Sequence, residues 1–151
     1  MPLVIQTEWY TKEQVRSNPE TIFVFGDNLA RKGTGGQAKA CRDEPNTIGI
    51  VTKWDEKRNP GSYMYDTTLA MHRVVISSGF YAIESALREG KTVVFPADGV
   101  GTGLANLAEN APQTLDFINR WIARIKLYDE QLRNEAALEA IRKETGDRYA
   151  G

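Results

Sequence analysis

The sequence is short of the residues that build covalent and metal frameworks. Cys41 is its one cysteine and His72 its one histidine. An internal disulfide framework and a His- or Cys-rich metal site within one chain are therefore excluded, and no metal or cofactor is expected. An excess of one charge is missing too. With 19 Lys and Arg against 20 Asp and Glu, nothing in the bulk surface draws nucleic acid or an anionic membrane non-specifically. No run approaches the roughly 18 apolar residues of a membrane span, and the opening MPLVIQTEWY lacks the charged and apolar regions of a signal peptide. These absences point to a reducing cytoplasm and to no membrane partner. What is present, 151 residues of which 41% are hydrophobic and 26% charged, suits one ordinary domain spanning residues 1–151. No repeat, low-complexity tract or shift in composition divides it.

Short apolar runs mark the strands. Ile22 to Phe25, Thr47 to Val51 and Thr92 to Phe95 are continuous rather than alternating, which suits strands covered on both faces in a parallel sheet; a buried helical segment has the same periodicity. The first run meets Gly26-Asp27-Asn28, where the chain is expected to turn. Leu3-Val4-Ile5 is a fourth apolar run, and Thr11 followed by Gln14 reads as a capping box opening a brief helix that Pro19 ends. From Asp66 to Arg88, Leu69, Ile76, Phe80, Ile83 and Leu87 recur at helical spacing. Asp66 is the expected N-cap, Gly90 the stop, and Ser77-Ser78-Gly79 a place where the helix divides. Leu115, Ile118, Ile122 and Ile125 mark a further amphipathic helix running into the charged segment 129–143, read as a solvated extension.

Two loops carry the chemistry. The first, Gly26-Asp27-Asn28-Leu29-Ala30-Arg31-Lys32-Gly33-Thr34-Gly35-Gly36-Gln37-Ala38, lies between a strand and an expected helix. Its glycines allow close approach of a ligand, and amides at a helix start favour an anion. Alone, it reads equally well as a turn with incidental glycines. The second, Pro96-Ala97-Asp98-Gly99-Val100-Gly101-Thr102-Gly103-Leu104, alternates its glycines, so that consecutive amides can face one concavity and wrap a diphosphate without a lysine. It is neither a Walker loop nor the G-x-G-x-x-G of a dinucleotide fold. Two such loops after strands strengthen each other, because ligands of open α/β sheets sit beyond the carboxyl ends of strands.

Val51-Thr52-Lys53-Trp54 puts a lysine just past another strand, facing the same cleft. A nucleophilic Lys53 must be neutral part of the time, against an ordinary pKa of about 10.4. Burial, or a cation such as Arg31 or Lys32, would lower it; a bound diphosphate would act the other way, leaving Lys53 as a phosphate or ribose ligand. Trp54, Tyr63 and Tyr65 offer either a stacking wall for a base or ordinary packing. His72 reads as a structural histidine and Cys41 as a small buried hydrophobe.

With these residues in place, the pattern resembles the macrodomains, three-layer α/β/α modules that recognise ADP-ribose. FVFGDNLARKGTGGQAKACR is similar to their strand, Asn-containing turn and Gly-rich loop, and VVFPADGVGTGLANLAENAP to their strand and diphosphate loop. The likeness is closest to the branch of terminal ADP-ribose protein glycohydrolase and the bacterial DNA ADP-ribosyl glycohydrolases, whose strand ending in Ile-Thr-Lys presents a catalytic lysine; the matching stretch here is IGIVTKW. The resemblance implies an α/β fold with a largely parallel or mixed central sheet; the sequence departs from it in showing about four strands, fewer than the six typical of a macrodomain, so that the module is expected to be reduced. The core would span 22–125, with a helical extension over 128–145. It implies that Lys53 attacks the anomeric carbon, that Asn28 and Gly33 to Gly36 hold the distal ribose, and that Gly99 to Leu104 wrap the diphosphate.

The branch has an acidic residue after the second loop, but this chain has Ala105-Asn106 and no carboxylate until Glu109. Asp27 and Asp98 are the nearest substitutes, unless they merely cap turns. The expected catalytic set is thus Lys53, Asn28 and Asp98. The expected ligand-binding set is Gly26, Asp27, Gly33, Thr34, Gly35, Gly36, Gln37, Gly99, Val100, Gly101, Thr102, Gly103 and Leu104. The leading expectation is a glycohydrolase that removes ADP-ribose from a protein or nucleic acid. A non-catalytic ADP-ribose reader, a phosphatase or deacylase acting on a free ADP-ribose derivative, and a plain nucleotide-binding protein are the alternatives.

Overall fold

The computed structural model describes residues 3–146. Four strands, β1 (Leu3–Gln6), β2 (Thr21–Asn28), β3 (Thr47–Lys53) and β4 (Thr92–Pro96), form one sheet in the order β1-β4-β2-β3. Every pairing in it is parallel. Helices α1 (Lys12–Ser17) and α2 (Ala38–Cys41) cover one face, and α3 (Leu69–Arg88) and α5 (Pro112–Thr145) the other; α4 (Leu107–Asn110) is a single turn before α5. The fold is a three-layer α/β/α arrangement with a C-terminal helical extension.

The continuous apolar runs arise from this layering. In β2, Phe23 and Phe25 pack with Tyr10, Val15 and Cys41 under α1 and α2, while Val24 joins the core beneath α3 and α5. In β4, Val94 points to the first face and Val93 and Phe95 to the second. Each fully buried residue of this kind contributes about 1.5–3 kcal/mol relative to exposure. Burial also pushes the Cys41 thiol up to about 12, so it behaves as a small core residue.

Several local expectations need correction. β2 does not turn at Gly26-Asp27-Asn28 but continues through it, because these residues still pair with β3. The sheet core starts earlier than residue 22, since β1 pairs with β4 from Leu3 onward. Thr11 caps α1 as expected, its hydroxyl accepting from the Gln14 amide at 3.0 Å, but the Gln14 side chain bonds Gln6 rather than closing the box. Asp66 opens a short 3₁₀ turn, Asp66–Thr68. Its carboxylate accepts from the amides of Gln113 and Thr114, so it caps α5 instead of α3. Ser77-Ser78-Gly79 lies within an unbroken α3, because Gly79 lets the helix settle onto Ile50 of the sheet. Gly90 does end the helix, at positive φ, with Lys91 and Gly90 returning amides to Ala86 and Leu87.

The amphipathic helix and the charged segment are one element. At 34 residues, α5 is about 50 Å long. Its first half packs on α3 through stacked Phe80 and Trp121, 5.3 Å apart, and through the Glu84 to Arg124 ion pair. The charged half is mostly exposed, but Asp129 is not: it is buried, accepting from the Leu3 amide at 3.2 Å and pairing with Arg133.

Candidate functional site

A cleft of about 680 Å³ opens at the carboxyl ends of the strands, within the size range of small-ligand sites. Each strand contributes its last residues: Gln6 from β1, Gly26 to Asn28 from β2, Thr52 and Lys53 from β3, and Pro96 from β4. The chain leaves β2 toward α2 on one face and leaves β4 toward α4 and α5 on the other. The two central strands therefore part at a topological switch point, where ligands of open α/β sheets collect. Every residue expected in the catalytic and ligand-binding sets lines this cleft.

The loops present backbone donors. Among the described residues, no protein group accepts from the amides of residues 33–37 or 100–105, which leaves two stretches of N–H groups free for an anionic ligand. The expectation of an anion held at a helix start does not apply here, because α2 is a single turn. Gly101 fixes the second loop. At φ +83° it occupies the left-handed region, and a Cβ there would overlap the Leu107 side chain. At Gly35 a Cβ would stand 2.6 Å from Leu104 Cδ1, so the loops touch across the cleft only because that residue has no side chain. Gly103 meets nothing within 4 Å and lacks a positive φ. Gly103→Val is accordingly expected to leave the melting temperature unchanged. Gly101→Val should lower the melting temperature itself. A thermal melt separates the two.

Lys53 ends β3. A register shift pairs Asp27 with Val51 and then Asn28 with Lys53. Its side chain is buried, its Nζ donates to the Lys57 carbonyl at 2.8 Å, and it lies 4.7 Å from the centre of the Tyr63 ring. Burial holds the Lys53 ammonium below the ordinary lysine range; Asp55 and Glu56 oppose that shift, and Arg58 adds to it. The neighbouring cation is thus Arg58. Arg31 is committed to Asp27.

Three of the named side chains have structural duties. Asn28 accepts from the Lys32 amide and donates to its carbonyl at 2.7 Å, bracing the loop. Gln37 accepts from the Tyr10 amide. Asp27 is buried, with Arg42 on both oxygens at 2.7 and 3.1 Å, Arg31 at 3.0 Å and the Asn28 amide at 2.8 Å. Both carboxylate oxygens of Asp27 are thus already engaged by protein donors. Asp98 is exposed at the cleft wall.

Four residues of the site escaped sequence reasoning. Arg42 also donates to the carbonyls of Lys32 and Gly33, tying the first loop to β2. Glu56 and Arg58 line the cleft from the loop after Lys53, and Trp9, 64% exposed, lines it beyond β1. Trp54 packs against His72 and the core, and Tyr65 lies outside the cleft lining. His72 is buried between the hydroxyls of Thr68 and Thr114, a structural role.

The family DUF7831, described as a family of unknown function, matches residues 5–121. The chain belongs to DUF7831. The span matched in this DUF7831 protein contains every cleft-lining residue, from Gln6 to Ala105, and stops within α5 at Trp121. No curated protein matches it. No solved structure matches it either. Among its described residues, no helix is long and apolar enough to cross a membrane.

Proposed function

We propose that this cleft binds ADP-ribose and that the protein is a glycohydrolase releasing ADP-ribose from a modified protein or nucleic acid. The carrying observation is the order of groups across the strand ends: Lys53 at β3, free amides after β2 and β4, and the exposed indole of Trp9 beyond β1. That order matches the order of groups in the ligand: reactive ribose, diphosphate, nucleobase. Three interstrand steps cover about 14 Å at about 4.8 Å each, enough for an extended sugar, diphosphate and nucleoside. Lys53, partly desolvated over Tyr63, supplies a nucleophile for the anomeric carbon. The lone buried Cys41 fits a reducing cytoplasm.

A non-catalytic reader is the second reading, favoured by two features: Asp27 is neutralised by Arg42 and Arg31, and Ala105-Asn106 follows the second loop. Calorimetric titration with ADP-ribose, with AMP and NAD as controls, tests the binding shared by both. Selective ADP-ribose binding with quenching of Trp9 fluorescence is expected, and its absence overturns both readings. Release of ADP-ribose from a modified substrate then separates enzyme from reader.

A further inference from the structure

The geometry points to Glu56 as the acid–base partner of Lys53, an inference that rests on the glycohydrolase reading. Three carboxylates line the cleft: Asp27, Glu56 and Asp98. Asp27 is already bonded to two arginines and an amide, with its side chain 2% exposed. Asp98 follows β4, two strands from Lys53, or about 10 Å at the usual spacing.

Glu56 stands three residues beyond Lys53, in a loop pinned at both ends. The Lys53 ammonium bonds the Lys57 carbonyl, and the Trp54 amide bonds the Ser62 carbonyl. The Glu56 stem lies against the first loop: a Cβ built on Gly33 would stand 2.9 Å from Glu56 Cβ. Among the described residues its carboxylate makes no hydrogen bond and no ion pair. It is the one cleft carboxylate that is both uncommitted and on the lysine's own loop, and its charge acts directly on Lys53.

The reaction balances with these two groups alone. Glu56 carboxylate takes a proton from the Lys53 ammonium. The freed amine attacks C1″ as the bond from C1″ to the target breaks, and Glu56 returns its proton to the departing group. Glu56 then takes a proton from water, whose oxygen bonds C1″ as the bond to Lys53 Nζ breaks. The proton passes back to the amine. The sum is one bond to C1″ hydrolysed by one water, with both groups restored.

Nitrophenyl ADP-ribose assayed at alkaline pH tests this, because solvent then takes the Lys53 proton and the leaving group departs without an acid, while the water step still needs a base. Glu56→Gln in the full chain should bind ADP-ribose within about threefold of the wild type, since the diphosphate contacts are elsewhere. It should release a burst of about one nitrophenol per protein and then turn over about 100-fold more slowly. Rapid denaturing quench during the burst should leave the sugar on Lys53, read as added mass. A wild type that turns over, with Glu56→Gln equally fast and without a burst, overturns the role of Glu56, as does a burst produced by Asp98→Asn instead. A wild type that binds ADP-ribose but releases no nitrophenol overturns the glycohydrolase reading itself.

Discussion

Arg42→Met is expected to destabilise the protein by about 3 kcal/mol and to abolish the proposed binding of ADP-ribose. Asp27 is buried, and Arg42 meets both of its oxygens. Removing the guanidinium leaves a carboxylate in a nearly dry site, where losing one partner of a buried pair costs about 3–5 kcal/mol. The lower figure applies because Arg31 still reaches Asp27 Oδ2 at 3.0 Å. For a domain of this size that is a fall in melting temperature of about 10 °C. Binding suffers separately, since Arg42 also holds the Lys32 and Gly33 carbonyls, and without it the amides of residues 33–37 lose their fixed direction. Asp27→Asn combined with Arg42→Met removes the stranded charge and should recover part of the stability but none of the binding. Thermal melts and calorimetry on the single and double variants check this. If the single variant binds normally, Arg42 does not organise the loop.

The fold was largely legible because its strands are buried on both faces. Val24 and Phe25 point to opposite cores, so the apolar runs carry no polar alternation and read as parallel strands. Local propensity misled where long-range pairing decided the outcome. Gly26-Asp27-Asn28 looks like a turn, yet stays in β2 because β3 lies alongside and Arg42, fourteen positions after Asn28, satisfies the aspartate. A longer separation in sequence hid the duty of Asp66, whose amide partners are on α5. In the site, glycines and the strand-terminal lysine were visible because their spacing is local. Arg42, Glu56, Arg58 and Trp9 were not, since each enters the cleft from a segment with no distinguishing pattern. Trp54 and Trp9 show the limit clearly: two tryptophans of one chain, of which only the fold reveals that one packs on the core and the other lines the cleft.

On the proposed glycohydrolase reading, Lys53→Met should leave ADP-ribose affinity within about threefold of the wild type and reduce turnover by at least about 10³-fold. Lys53→Arg should be equally inactive, because a guanidinium keeps the charge but offers no nucleophile. An electrostatic role alone would let arginine retain substantial activity. With the nitrophenyl substrate, whose departure needs no acid, kcat/KM of the wild type should rise with pH and level off above an inflection lying below the ordinary lysine value, since only the neutral amine attacks and burial lowers its pKa. Stability follows the same linkage. Between the lowered folded pKa and the ordinary value of 10.5, the unfolded chain holds more protons than the folded one, so the contribution of Lys53 to stability improves as pH rises through that window. At neutral pH the ammonium's desolvation cost is set against its bond to the Lys57 carbonyl and its contact with Tyr63, each worth about 1 kcal/mol. Lys53→Met should therefore match the wild type within about 1 kcal/mol at neutral pH, and be the less stable of the two near pH ~10. Urea unfolding at the two pH values reads the difference. A gap that stays constant with pH would show that Lys53 keeps an ordinary pKa, and the nucleophile would then have to be sought elsewhere in the cleft.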